Sequence, residues 1–380
     1  MKNNVIINNM CWMRGRYIMK ILLTGGGTGG HIYPALALVE NVRLYYPNAE
    51  FLYVGTSNGL EADIVPKHGI PMSYIEVSGF RRSLSLDNIK VIYRFIAACI
   101  QSRRILKEFK PDIVIGTGGY VAAPVVYVAS KMNIPTIIHE QNAIPGLTNN
   151  FLSRYASAVA ISFPESRKMF PKATNIITTG NPRATAVAMA DRDKGLSFLN
   201  FDSSLPIVAV LGGSRGAKVI NDAMDDWLSN NEQLPFRIVF VTGSVHYDRF
   251  KDKASKDIRI YPFIYNMTEV LACADLVIGR AGATFLAEIT SLGIPSILIP
   301  SPYVTNNHQL HNAMALKDNG AAIVIPENEV SAKKLKQTVL RLLQNSFVLK
   351  EYKNAAKKLG NRDSANIFRL EIEKLIIKDN

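Results

Sequence analysis

Three times in this chain a short apolar run leads straight into glycines and then into a helix-forming stretch: Lys20–Thr24 into TGGGTGGH, Asp112–Ile115 into GTGGY, and Ile207–Leu211 into GGSRGA. Glycine has no Cβ, so its backbone can turn sharply and approach a ligand closely, while the first amides of the following helix lack intrahelical acceptors. Such a junction presents N–H groups to an anion. One glycine turn is ordinary. Three at the carboxyl ends of strands point to a ligand edge, because open parallel α/β sheets bind there.

The rest of the chain has the alternation of apolar runs and helical segments that parallel sheets require. Expected strands of a first series are Lys20–Thr24, Glu50–Val54, Ile113–Ile115, Thr136–His139, Ala158–Ile161 and Asn175–Thr179. A second series runs Ile207–Leu211, Arg237–Thr242, Arg259–Tyr261, Leu276–Ile278, Ser296–Ile299 and Ala322–Ile325. Each opens on a glycine junction, so the fold class is α/β: two Rossmann-like domains with parallel sheets facing across a cleft. A chain of 380 residues, 48% of them hydrophobic, is long enough for two cores. The boundary is expected between Gly180 and Leu205, where GNPRATAV starts a turn and a short helix and DRDKGLSFLNFDSSLP is polar. From about Val330 the sequence is rich in Lys, Leu and Glu at helical spacing. Residues 1–18 lack the apolar core of a signal peptide, and Met19 directly precedes the first strand, so they are read as an extension.

The formal charge is +13, and residues 1–180 carry 19 Lys and Arg against 10 Asp and Glu. That excess suggests an anionic partner: nucleic acid, anionic lipid or a phosphorylated substrate. Nucleic acid would call for basic residues interleaved with stacking aromatics or a recognisable motif, and neither occurs, so none is expected. No apolar run has the roughly 18–20 residues needed to span a bilayer; the longest, Val91–Ile100, is broken by Arg94. The three cysteines, Cys11, Cys99 and Cys273, are too scattered for a disulfide framework or a zinc site.

Gly25, Gly27 and Gly30 satisfy the dinucleotide-binding glycine pattern, with a helix expected to begin near Tyr33–Pro34. The ribose-binding carboxylate of that pattern is missing, since the second strand ends in Val54-Gly55-Thr56-Ser57. His31 follows the loop and could act as a general base, orient a phosphate, or serve the helix start alone. TIIHEQN places His139, Glu140, Gln141 and Asn142 at a strand end, where they either line a site or satisfy loop amides. In GRAGATFLAE, Glu288 lies about two turns into a helix, within reach of a ribose diol or simply solvated. His308 and Gln309, in SPYVTNNHQLHN, either contact a ligand or belong to a surface loop. Asp191 and Asp193 mimic the aspartate pair of metal-dependent sugar transferases but lie away from any strand edge. No motif calls for a divalent metal or a tightly bound cofactor; helix N-termini and backbone amides would stabilise a departing diphosphate.

Together GGGTGGHIYPALAL, EADIVPKHGI, GTGGYVAAPVV, HEQNAIPGLTN, GNPR, GGSRGA and GRAGATFLAE resemble, in order, the blocks of the MurG family of peptidoglycan N-acetylglucosaminyltransferases, from Lys20 to near the end of the chain. The resemblance implies a GT-B fold. It implies an acceptor- and membrane-binding domain over 19–182, a UDP-GlcNAc-binding domain over 183–345, and a helical segment over 346–380 that can pack back on the first domain. Carried onto this sequence, the donor contacts are Thr28, Gly29, Gly30, Asn142, Arg183, Ser214, Ile264, Ala283, Thr284, Phe285, Leu286, Ala287, Glu288 and Gln309. Many family members have one more residue between the proline and the arginine at Arg183. The family often has glutamine where Arg215 stands, and that arginine either adds a diphosphate contact or points outward. Gly27, Gly118, Gly119 and Tyr120 fall on the acceptor-diphosphate side.

The implied reaction is inverting transfer of GlcNAc from UDP-GlcNAc to the C4 hydroxyl of the muramyl sugar of lipid I, forming lipid II. His31 is the first candidate for the base and Glu140 the second. A UDP-GlcNAc 2-epimerase or a glycolipid synthase would be the alternatives on the same fold. Phe80, Leu84, Leu86, Ile92 and Phe95 mingle with Arg81, Arg82, Lys90, Arg94, Arg103 and Arg104, which suits peripheral binding to the anionic inner leaflet on the cytoplasmic face of a bacterial plasma membrane. The resemblance also leaves room for other cell-wall synthesis or division proteins as partners.

Overall fold

The computed structural model describes residues 18–78, 87–213, 216–229 and 233–378, the side chains of 87–92 and 378 excepted. The chain runs β1 (Lys20–Gly25), α1 (Gly29–Tyr45), β2 (Glu50–Gly55), α2 (Leu60–Ile64), β3 (Met72–Tyr74), α3 (Asp87–Phe109), β4 (Ile113–Gly118), α4 (Ala122–Lys131), β5 (Thr136–Glu140), α5 (Leu147–Leu152), β6 (Ala158–Ile161) and β7 (Ile176–Thr178). It crosses through α6 (Arg183–Ala188) and α7 (Arg192–Leu199) to β8 (Ile207–Leu211), α8 (Lys218–Leu228), β9 (Arg237–Val241), β10 (Ile258–Tyr261), α9 (Met267–Cys273), β11 (Leu276–Gly279), α10 (Ala283–Leu292), β12 (Ser296–Leu298), α11 (His308–Asp318) and β13 (Ala322–Val324). Helices α12 (Ala332–Gln344), α13 (Ser346–Leu359) and α14 (Ser364–Lys378) close the described chain.

The first seven strands form one sheet in the order β3-β2-β1-β4-β5-β6-β7, and the next six a second in the order β10-β9-β8-β11-β12-β13. All neighbours pair in parallel. Successive side chains point to opposite faces, so an apolar run covered by helices on both sides feeds two cores at once. Ile21, Leu23, Ile113 and Ile115 enter one cluster, while Leu22 and Val114 enter the other. In the second sheet Ile207, Ala209 and Leu211 face one layer and Val208 and Val210 the opposite one. Strand β3, which is absent from the expected runs, is a half-buried edge strand whose sequence Met-Ser-Tyr carries no apolar run.

In each sheet the strand order reverses beside its first strand, between β1 and β4 and between β8 and β11. That switch opens a crevice beyond the strand ends. Helix α6 lies between the sheets and packs on α1, α10 and α14. The last helix returns to the first half: Phe368, Ile372 and Ile376, one helical face, are buried in the cluster with Ile21, Leu23 and Leu36.

Candidate active site at the facing strand edges

The loops after β1 and β4 form one unit. The Gly26 amide donates to the Gly118 carbonyl at 3.3 Å. Gly118 and Gly119 have φ of +108° and +80°, and a Cβ on Gly119 would lie 2.5 Å from the Gly26 carbonyl oxygen. Beneath the first loop sits Glu61, buried, whose carboxylate accepts from the Thr56 amide at 3.0 Å, the Thr56 hydroxyl at 2.7 Å and the Gly27 amide at 3.1 Å. Gly26, Gly55 and Gly59 all press on it, each leaving no room for a Cβ. The Gly27 amide is therefore engaged internally, so an anion reaching this edge meets the Gly29 and Gly30 amides instead, which begin α1 without intrahelical acceptors.

Helix α1 starts at Gly29, four residues before the expected start, so Pro34 lies inside the helix rather than in its first turn. Proline lacks an N–H and cannot bond the carbonyl four residues back. That carbonyl belongs to Gly30, and it accepts instead from the Thr284 hydroxyl of the other sheet's helix at 3.4 Å. The N-termini of α1 and α10 thus face each other across the cleft, each carrying roughly half a positive charge from its aligned peptides.

His31, half-buried, has Nδ1 2.8 Å from the Gly26 carbonyl oxygen and 3.3 Å from the Thr28 hydroxyl. A carbonyl only accepts, so Nδ1 carries the proton and Nε2 keeps its lone pair. A Cβ on Gly118 would lie 3.0 Å from that nitrogen. Burial pulls the imidazole pKa below its ordinary value, against the opposing pull of the Gly26 bond and the carboxylates Glu140 and Glu61. The result is a neutral base.

The run after β5 divides. His139 is fully buried, with Nε2 3.1 Å from both the Gly180 carbonyl and the Ser162 hydroxyl, and burial lowers its pKa to about 4. Gln141 donates to the Thr117 carbonyl at 2.7 Å. Glu140 accepts from the Asn142 amide and side chain at 3.0 and 3.1 Å, the Gly146 amide at 3.1 Å and the Asn149 side chain at 2.9 Å. Four donors saturate a carboxylate's four lone-pair sites. Glu140 is buried, and its four donors all come from the segment that follows it. Asn142 alone of the four is only half-buried, and it reaches the other domain, its Oδ1 accepting from Asn312 at 3.1 Å.

On the second sheet's edge, Glu288 lies five residues into α10 and pairs with Arg183, Nε to Oε1 at 2.7 Å. Burial pushes the Glu288 carboxyl up, and Arg183 opposes the shift. The Arg183 guanidinium also lies 5.9 Å from the Tyr33 ring of α1. Thr284 and Glu288 are the polar side chains of the Ala283-to-Glu288 run; Ala283 and Leu286 are buried in the core, and Phe285 packs against Gly279. The Ile264 side chain is buried too, so it can offer a ligand only its backbone. Gln309 accepts from the Ser301 amide at 2.9 Å through Oε1, and its NH2 group is a donor. The expected contact Ser214, with Arg215, lies outside the described residues. Asp191 caps α7, accepting from the Asp193 and Lys194 amides at 2.9 and 3.4 Å, so the aspartate pair has a local structural use.

Beside Tyr120, a pocket of about 290 Å³ is lined by Thr56, Ser57, Asn58, Glu76 and Arg94, among others. Of these only Arg94 is singled out in the sequence, as part of the basic stretch; Glu61 and Asn312 are not. The signal for Glu61 was the ring of glycines around it, and for Asn312 the density of amides in SPYVTNNHQLHN.

Two Rossmann-type parallel sheets with their ligand edges turned on a shared cleft make up the GT-B architecture. The models of the glycosyltransferase family 28 N-terminal domain and C-terminal domain match residues 21–161 and 207–367. This chain belongs to glycosyltransferase family 28. It is 51% identical, over 91% of its length and 97% of the relative's, to a UDP-N-acetylglucosamine--N-acetylmuramyl-(pentapeptide) pyrophosphoryl-undecaprenol N-acetylglucosamine transferase of Listeria monocytogenes. The crystal structure of Acinetobacter baumannii MurG superposes with a TM-score of 0.75 at 28% identity, covering 94% of this chain and 99% of that one. A UDP-GlcNAc 2-epimerase from Neisseria meningitidis bound to UDP-GlcNAc reaches a TM-score of 0.67 at 14% identity, covering 95% of this chain and 100% of that one, a likeness of fold alone.

Proposed function

We infer that the protein transfers N-acetylglucosamine from UDP-GlcNAc to undecaprenyl-diphospho-MurNAc-pentapeptide, lipid I, and so makes lipid II. The observation that carries this is the 51% identity, over nine tenths of the chain, to a transferase named for that reaction. The proposed mechanism uses the residues at the cleft. The muramyl C4 hydroxyl attacks the anomeric carbon of GlcNAc from the face opposite the leaving group, and its proton passes to His31 Nε2. As the new C–O bond forms, the bond from the anomeric carbon to the diphosphate breaks and UDP departs. The amides at the start of α10, with Arg183, meet the developing negative charge, and no resident metal is invoked. The free oxygen of Glu288 suits the ribose diol.

The acceptor's lipid tail calls for a membrane surface, and no helix among the described residues is long and apolar enough to cross one. Helix α3 exposes Tyr93, Ile96 and Ile100 at 74%, 54% and 68%, beside the exposed Arg94, Arg103, Arg104 and Lys107. A ring contact series, Phe95–Tyr127–Phe151, ties it through α4 to α5, where Leu147 is 65% exposed and Arg154 is nearby. We read this face as the membrane-facing one. Phe80, Arg81, Arg82, Leu84 and Leu86, and the side chains of Lys90 and Ile92, lie outside the described residues.

The test is UDP release from UDP-GlcNAc with and without a lipid I analogue, with mass analysis of the product. Release only with acceptor, and an acceptor heavier by one GlcNAc residue, is expected. A changed sugar nucleotide in the absence of acceptor would instead make the protein an epimerase.

A further inference from the structure

Asn312 lies on α11, one turn beyond Gln309 on the same face, and is fully buried. An amide taken from water must find partners, and a side chain this deep normally finds them in its own neighbourhood. The partners of Asn312 come from both sides of the cleft. Its Oδ1 accepts from the Ala143 amide at 2.8 Å and its Nδ2 donates to Asn142 Oδ1 at 3.1 Å, both after β5 of the first sheet. The same Nδ2 donates to the Ala281 carbonyl at 3.2 Å, in the loop that leads from β11 into α10.

These bonds fix the orientation of a second amide. Asn142 Nδ2 donates to Glu140 Oε1 at 3.1 Å while its Oδ1 faces Asn312, so flipping the Asn142 carboxamide would break both bonds. One of the two N–H groups of Asn142 Nδ2 is held by Glu140, and the second is left to point at a ligand. The Glu140–Asn142–Asn312–Ala281 line therefore joins the acceptor-side strand edge to the loop that sets the start of α10.

We propose that Asn312 is a positioning residue for the transfer: it latches the two strand edges together and holds the Asn142 carboxamide in the one orientation that can address the donor sugar. The proposal rests on the transferase reading above. Asn312 touches no substrate, so its effect must pass through Asn142 and the Ala281 loop. A merely structural asparagine would lower stability and nothing else.

The test uses the full chain and four variants: Asn312→Asp, Asn312→Ala, Asn142→Ala and the double Asn142→Ala/Asn312→Ala. Asn312→Asp keeps the shape and the acceptor for Ala143 but turns an oxygen toward Asn142 Oδ1 and the Ala281 carbonyl. It is expected to lose roughly 10- to 100-fold in kcat/KM for UDP-GlcNAc, the scale of a small misplacement of a reacting group, with Ala143 still protected from hydrogen exchange. Asn312→Ala should lose activity and also expose the Ala143 amide to exchange. Once Asn142 is alanine, removing Asn312 should cost less than about twofold more, because the two act as one unit. Wild-type turnover by Asn312→Asp, or losses that multiply in the double variant, would overturn the proposal. If the wild-type chain transferred no sugar to a lipid I analogue, the transferase reading would fail by itself. Exchange at Ala143 would still decide the latch, and unchanged protection in Asn312→Ala would overturn it.

Discussion

His31 and His139 are both pulled down in pKa by burial, yet their partners differ. The carbonyl of Gly26 fixes the proton of His31 on Nδ1, so Nε2 keeps its lone pair. With His31 as the proposed base the neutral form does the work, so kcat should fall as pH drops through a midpoint below the ordinary histidine value of 6.5. Asn in its place should cost roughly 10²- to 10⁴-fold in kcat and abolish that acid limb; a His31→Asn enzyme that kept the limb would show the base to be another group. His139 has both ring nitrogens bonded inside the protein, and its effect falls on stability. Its pKa is near 4 when folded and 6.5 when unfolded, so the unfolded chain binds the proton more readily. The stability held by the neutral ring is therefore complete above pH 6.5 and is lost as pH falls toward 4, about 3 kcal/mol in all. Denaturant melts at several pH values should show that slope in the wild type and a flatter one in His139→Gln.

At the scale of elements, the two amino-side glycine loops behave as one body, and the glycines within it are not equivalent. Gly119 combines φ of +80° with a missing Cβ position 2.5 Å from backbone, so Gly119→Ala must move the Gly26 loop and with it His31; a loss of about 1–3 kcal/mol and at least a tenfold fall in kcat are expected. Gly146, with φ of −69° and open space at its Cβ position, should accept alanine with both properties unchanged. Melting and turnover of the pair separate a steric requirement at Gly119 from a general dislike of mutation at glycines beyond the strand ends. The strands that carry the loops are legible in sequence because a strand covered on both faces is one apolar run, and the junction with glycine marks its carboxyl end. The start of α1 was misplaced for a physical reason: Pro34 looks like a first-turn proline, yet the helix continues through it because the carbonyl it leaves unpaired finds Thr284, 254 residues away. The roles of Glu61 and Asn312 are invisible for the same reason. Gly27 lies 34 residues from Glu61 and Ala143 lies 169 from Asn312, where no local spacing reports them. Glu140 shows the converse, a carboxylate in a suggestive run whose neighbours turn out to saturate it.

For the whole molecule, the net charge of +13 gains meaning from where the exposed apolar residues lie. The α14 face returning to the first core binds the chain's last described helix to the domain that carries α3, while the α3 surface, with Tyr93, Ile96 and Ile100 amid arginines, is left without a protein partner among the described residues. Apolar side chains interleaved with cations favour the interface of an anionic bilayer, where each basic residue contributes about 1 kcal/mol. Reversing Arg103 and Arg104 to Glu should therefore weaken binding to vesicles containing anionic phospholipid by at least about 30-fold. Transfer to a water-soluble acceptor analogue should be unchanged, since neither arginine lines the cleft. Raising the salt should weaken wild-type binding as the Debye length shrinks, leaving only the apolar contribution. Sedimentation with anionic and with neutral vesicles measures both effects, and equal, salt-independent binding to the two would assign the attachment to apolar contacts alone and none of it to the arginines.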